Sequence, residues 1–275
     1  MLVLFICSCN EDAGGKEHTE QERKLPKSLE NNFDCVIDQN KQTKITNVLR
    51  EADEFVTDVA SKDINVTDED QSKFGDKFLK QIKTEKQFVI NNTNRIEIAN
   101  LAIILSELLR KRPSPSKIKY EIFLLDDDAI NAYTVGGKIF VTTAMLKAVT
   151  NKDQLYAIVG HEIGHNEKGH IKSIMKQLKV GESIFGEASE KVFQLKSLLT
   201  GSFNQKKEVE ADYYGLSLMY QLGYDPCSVK DFWDNMATSE QKDNIQDFFG
   251  THPYSDVRSK CVTNHLASNY NLFCQ

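Results

Sequence analysis

The chain has 275 residues, 40% of them hydrophobic and 27% charged, with a formal net charge of −6. That length supports a sizeable core in one large or two small domains, and the balance excludes a disordered or fibrous chain. No Lys/Arg block of the kind that tracks phosphates is present, which argues against a nucleic-acid partner, and no internal run approaches the roughly 20 apolar residues of a membrane-spanning helix.

In chain order, Met1 to Ile6 is apolar, Cys7-Ser8-Cys9 follows, and the sequence then turns polar from Asn10 to Gly15. A small residue before a cysteine at the end of an apolar stretch resembles the end of a bacterial lipoprotein signal, although no basic segment precedes it. The resemblance implies export, a periplasmic or outer-membrane location, and membrane anchoring through a lipidated Cys9. The other cysteines are Cys35, Cys227, Cys261 and Cys274, with no C-x-x-C among them, so a thiolate zinc site is not expected. In an exported chain they could form two disulfides in any of three pairings, and three of the four lie in the C-terminal region, where a bridge is plausible.

Residues 1–20 read as a signal remnant and tether, and 21–112 as an N-terminal helical region. There Ile45, Val48, Leu49, Ala52, Phe55, Val56 and Val59 recur at helical steps. A second helix is expected from Thr84 to Arg112, and Pro113-Ser-Pro-Ser116 ends it. Residues 113–275 form the region that carries the chemistry. Lys119–Leu125 reads as a strand, and Asn131–Val135 and Lys138–Thr142 as a hairpin about Gly136-Gly137. Thr150 and Asp153 have the spacing of a capping box, which opens a helix through Leu155, Ile158, Val159 and Ile163 to about Leu178. Further helices are expected at Glu208–Leu222, at Val229–Met236 and from Ser255. The expected fold class is α+β, mainly helical, with a small sheet beside the chemical helix.

The chemistry begins at His161-Glu162-Ile163-Gly164-His165. Residues four apart share a helix face, so both imidazoles can turn one nitrogen to a single ion, with Glu162 beside them. Zinc lowers the pKa of a bound water towards about 7, and a neighbouring carboxylate can take its proton. A third ligand is required. On one continuous helix His170 lies roughly 900° from His161, half a turn out of phase, and is expected to be structural or at the surface. Glu208, with Asp212 four residues on, fits better: Glu208 closes the metal site, and Asp212 accepts a hydrogen bond from a ligating histidine. Glu210 is a competing ligand about 200° around the helix.

The pair His161-Glu-x-x-His165 and Glu208-x-x-Ala-Asp212 resembles the gluzincin peptidases of the HtpX and CAAX prenyl endopeptidase family, in its soluble exported branch. Asn131-Ala-Tyr133 with Gly136-Gly137-Lys-Ile-Phe-Val141, and Thr251-His252-Pro253 with Arg258, are similar to further family motifs in the same order. The resemblance covers roughly residues 95 to 265. It implies a zinc-dependent endopeptidase with one Zn2+ per chain, acting on polypeptides such as unfolded or misassembled envelope proteins. It further implies that His252 acts at the metal, by stabilising an oxyanion or capping a resting site, with Arg258 in support. Asn131, Ala132, Gly137, Lys138, Ile139 and Phe140 would bind an extended peptide by strand addition. Gly181 to Asn204 would form a movable cover. The alternative is a latent or non-proteolytic, zinc-binding, chaperone-like module.

Overall fold

The computed structural model describes residues 22–27, 29–30, 35, 64–85, 95–185, 203–239, 252 and 255–275. The expected signal at Cys9, the helical pattern from Ile45 to Val59, residues 186–202 of the expected cover, Thr251 and Pro253 lie outside them. The described elements are α1 (Asp68–Glu85), α2 (Arg95–Arg110), β1 (Glu121–Leu125), β2 (Ala132–Val135), β3 (Lys138–Thr142), α3 (Thr143–Ala148), α4 (Lys152–Glu167), α5 (His170–Phe185), α6 (Gln205–Gln221), α7 (Cys227–Ser239) and α8 (Ser255–His265). The architecture is α+β and mainly helical, with one small sheet. Among the described residues, no helix is long and apolar enough to cross a membrane.

The sheet has the order β1-β3-β2, with β1 parallel and β2 antiparallel to β3. The Gly136-Gly137 turn takes φ of 57° and 87°, the left-handed pair of a two-residue hairpin, where glycine carries no steric cost. β3 is therefore the central strand, paired on both sides. This corrects the expectation that Gly137 to Phe140 receive a peptide by strand addition, because those main-chain groups are already used. Their side chains are equally committed. Ile139 and Phe140 are buried, and the buried Lys138 ammonium pairs with Asp76 at 2.8 Å and with Glu121.

The helix α4 runs through the middle of the molecule. Leu101, Ile104, Leu105 and Leu108 of α2, Ile139 and Val141 of β3, Tyr156, Val159 and Ile163 of α4, Leu216 and Met219 of α6, and Phe232 and Trp233 of α7 share one core. α2 precedes residue 113 yet packs in that same core. The N-cap of α4 is Asn151, whose side chain accepts from Gln154 N–H, one residue later than the expected Thr150 cap. Asp153, expected to close the capping box, instead accepts from Asp225 N–H at 3.0 Å. Gln154 Oε1 accepts from Thr150 N–H, the residue before the cap, at 2.9 Å.

The feature that places the site is the close approach of α4 and α6. A Cβ on Gly215 would lie 2.6 Å from the Gly160 carbonyl carbon, and one on Gly164 would lie 2.9 Å from Ala211 Cα. With no side chains between them, the backbones of the two helices nearly touch. His161 and His165 follow the two α4 glycines directly, while Glu208 and Asp212 lie on the facing turns of α6.

α4 does not continue to Leu178. Gly169, with φ of 76°, ends it, and α5 starts afresh at His170. Glycine is suited to this left-handed stop, and the phase of every later side chain is reset. Two disulfides tie the C-terminal region, Cys227 to Cys274 and Cys35 to Cys261.

Candidate metal centre

His161 and His165 lie one turn apart on α4, both buried, with their Nε2 atoms 2.9 Å from each other. Glu208 stands opposite, Oε2 3.5 Å from His161 Nε2 and Oε1 3.5 Å from His165 Nε2. His252 enters from the segment before α8. Its Nδ1 is 3.2 Å from both His161 Nε2 and Glu208 Oε2. One potential ligand atom from each of these four residues lies within 4.8 Å of the others.

The partners behind the rings set the tautomers. Asp212 Oδ1, 2.9 Å from His161 Nδ1, can only accept, so when the ring is neutral, as a metal ligand must be, its proton belongs on Nδ1 and the Nε2 lone pair is turned to the cluster. The Ala132 carbonyl likewise accepts from His252 Nε2 at 2.9 Å, which leaves the His252 Nδ1 lone pair facing the cluster. Glu208 Oε1 and Glu162 Oε2 are buried and make no hydrogen bond among the described residues. Imidazole nitrogens and a carboxylate thus converge at one point. Such a donor set could hold a cation, and two imidazoles with one carboxylate suit a first-row divalent ion.

Arg258 holds the carboxylates. Its Nε and Nη2 donate to the two oxygens of Asp212 at 2.7 and 2.6 Å, and Nη1 donates to Glu208 Oε2 at 2.6 Å. The guanidinium lies 3.4 Å from the Trp233 ring centroid, a cation–π stack. Burial alone would raise both carboxyls. The Arg258 charge overrides it, holding Glu208 well below the usual carboxylate range and lowering Asp212. Burial and Arg258 oppose a charged His161, but Asp212 and Glu208 outweigh them and push it up to about 9, so the cluster favours positive charge there. Burial drives His165 well below its ordinary value and raises Glu162.

Of the residues expected to contact a peptide, Ala132 alone has an outward main-chain group that the structure ties to the cluster. Asn131 O accepts from Thr142 N–H, so Asn131 faces β3. Alternation then turns the main-chain groups of Ala132 and Thr134 to the outer side of β2, an edge of the sheet.

Asn166 is not marked by the sequence, and His170 and Glu210 take places other than a surface position and a metal ligand. Asn166 joins α4 to the sheet and to α1: Nδ2 donates to Thr134 Oγ1 and to Glu162 O, each at 2.8 Å, while Oδ1 accepts from Gln71 Nε2 at 2.8 Å and Gly137 N–H at 2.9 Å. His170 takes the structural of its two expected places: it is buried, with Nδ1 3.0 Å from His165 Nδ1. Glu210, weighed as a ligand, is outside the cluster and faces His170 Nε2 at 3.2 Å. The signal for the last two was Gly169, a helix stop written in the sequence.

Residues 96–265 match the model of Peptidase family M48. The chain is similar to mitochondrial metalloendopeptidase OMA1 of Schizosaccharomyces pombe, 31% identical over 55% of this chain and 48% of that protein. It is similar also to metalloprotease LoiP of Escherichia coli, 25% identical over 63% of this chain and 72% of that protein. A third relative is the beta-barrel assembly-enhancing protease of Escherichia coli, 24% identical over 68% of this chain and 42% of that protein. The chain spans between 31% and 58% of the length of the OMA1 relatives it matches. With well over half of its residues inside the family match and the His-Glu cluster at the centre of that region, the chain belongs to peptidase family M48.

Proposed function

We propose that the chain is a zinc-dependent endopeptidase in which His161, His165 and Glu208 hold one Zn2+ and Glu162 is the general base. The observation that carries the reading is the convergence of His161 Nε2, His165 Nε2 and the unbonded Glu208 Oε1 beside the unbonded Glu162 Oε2. When bound, zinc supplies Lewis acidity, polarising a peptide carbonyl and making a water acidic enough to deprotonate near neutral pH. Glu162 Oε2 takes the proton of the attacking water and delivers it to the leaving amine. Asp212 orients His161, and Arg258 keeps Glu208 ionised and in place. The outward main-chain groups of Ala132 and Thr134 on β2 line up an extended peptide by strand addition.

Two observations support export and a substrate drawn from unfolded or misassembled envelope proteins. Two disulfides suit an oxidising compartment, and one relative is named a beta-barrel assembly-enhancing protease. Lipidation of Cys9 would add the anchor. Cleavage of casein by the purified chain, lost with a chelator and restored by Zn2+, is the expected result. Intact cleavage in a chelator strong enough to strip the metal would overturn the reading.

A second reading concerns latency, and His252 favours it. Its ring joins the cluster through Nδ1 and occupies the Ala132 carbonyl through Nε2, so one side chain would both supply a further ligand to a bound ion and block the substrate edge. His252→Ala is expected to raise casein turnover several-fold and to weaken Zn2+ binding. A fall in kcat at unchanged KM would instead assign His252 to the transition state.

A further inference from the structure

Beyond the four clustered residues lies a second line of buried polar contacts. His165 Nδ1 meets His170 Nδ1 at 3.0 Å, and His170 Nε2 meets Glu210 Oε2 at 3.2 Å. Phe203 covers the pair, stacked on the His165 ring at a centroid distance of 4.1 Å and tilted against His170 at 5.7 Å. His170 is 3% exposed, whereas the Glu210 side chain is 33% exposed and also lies 3.7 Å from the Lys168 ammonium. The line therefore runs from a dry interior to a solvated carboxylate.

The direction of these hydrogen bonds follows from what a metal ligand must present. A ligating His165 Nε2 needs its lone pair, so the ring proton sits on Nδ1 and needs an acceptor. His170 Nδ1 is the atom within reach, so it accepts, and the His170 proton sits on Nε2. Glu210, which in its ionised form can only accept, takes that proton's hydrogen bond. Each step leaves one tautomer of the next ring.

We propose that Glu210 and His170 form a positioning relay that fixes the tautomer and orientation of His165 and so sets the metal affinity of the site. This rests on the zinc-centre reading above and adds two residues to it. The relay does for His165 what Asp212 does for His161, with an imidazole inserted because α6 presents Glu210, unlike Asp212, away from the cluster. Gly169 makes it possible. Without the break, His170 would lie half a turn out of phase with His161; with it, α5 begins by returning His170 to His165.

The test measures Zn2+ affinity of the full chain by competition with a chromophoric chelator. His170→Leu removes the acceptor and is expected to weaken Zn2+ binding about 10- to 100-fold, the usual cost of losing such a partner. His170→Asn, whose carbonyl can stand where Nδ1 stood, is expected to recover most of that loss, which a purely structural role would not produce. Glu210→Leu is expected to lose several-fold, since His170 keeps its place but not its orientation. If metal-free His170→Leu does not fold, as read by its thermal transition, Glu210→Leu and His170→Asn carry the test. Wild-type binding with unchanged affinity in the folded His170→Leu or Glu210→Leu chain would overturn the relay alone. Failure of the wild type to bind Zn2+ would overturn the zinc centre and the relay with it.

Discussion

Glu162→Gln is expected to lower kcat/KM for casein by about 10²–10⁴-fold, the usual contribution of a general base, while about one Zn2+ per chain stays bound. Gln fills the same volume but cannot take a proton. Glu162 is not one of the converging donors: its Oε1 is 3.4 Å from His252 Nε2 and its Oε2 makes no hydrogen bond among the described residues, so Gln in its place should leave the metal site standing. Burial raises the carboxyl, which strengthens it as a base at neutral pH. The same burial makes the charge costly to the fold, so the melting temperature of the variant should hold or rise. The pair of measurements separates the two functional classes. Lost cleavage with retained zinc establishes the peptidase. Unchanged client binding with no cleavage even in the wild type would instead support the chaperone-like module. Retained cleavage in the variant would remove Glu162 from the mechanism.

The local parts of this site were legible because their rules are local. Two histidines four apart share a helix face whatever surrounds them, and so do Glu208 and Asp212. The hairpin was written in Gly136-Gly137, and the structure forms it there. What was not legible depends on distant partners. The strand order put β3 in the centre through its pairing with β1, across the 12 residues between Leu125 and Lys138, and that shifted the available edge to β2. Asn166 looked like any helix residue, because its four hydrogen bonds go to α1, β2, the hairpin turn and its own helix. His170 was set aside by a phase argument that assumed an unbroken helix, and one glycine with positive φ removed the premise. The disulfide between Cys35 and Cys261 spans a sequence separation of 226, and no spacing rule reaches that far.

Arg258→Leu is expected to destabilise the metal-free chain by about 3–5 kcal/mol, the range for removing one partner of a buried ion pair. Arg258 is fully buried and gives three short hydrogen bonds to two fully buried carboxylates. Leu would leave Asp212 and Glu208 charged in a dry interior, without the cation that offsets their desolvation. It would also lose the stack on Trp233. For a domain of this size the change corresponds to a fall in melting temperature of about 10 °C. Arg258→Lys should recover little, because a single ammonium cannot replace a planar fork that reaches both Asp212 oxygens and Glu208 at once. The deficit should shrink when Zn2+ is added, since the ion supplies positive charge at Glu208 and partly replaces the missing guanidinium. The same folding experiment therefore reports on the site: a deficit equal with and without Zn2+ would mean that the ion does not share Glu208 with Arg258, and that Glu208 is an ion-pair partner rather than a ligand.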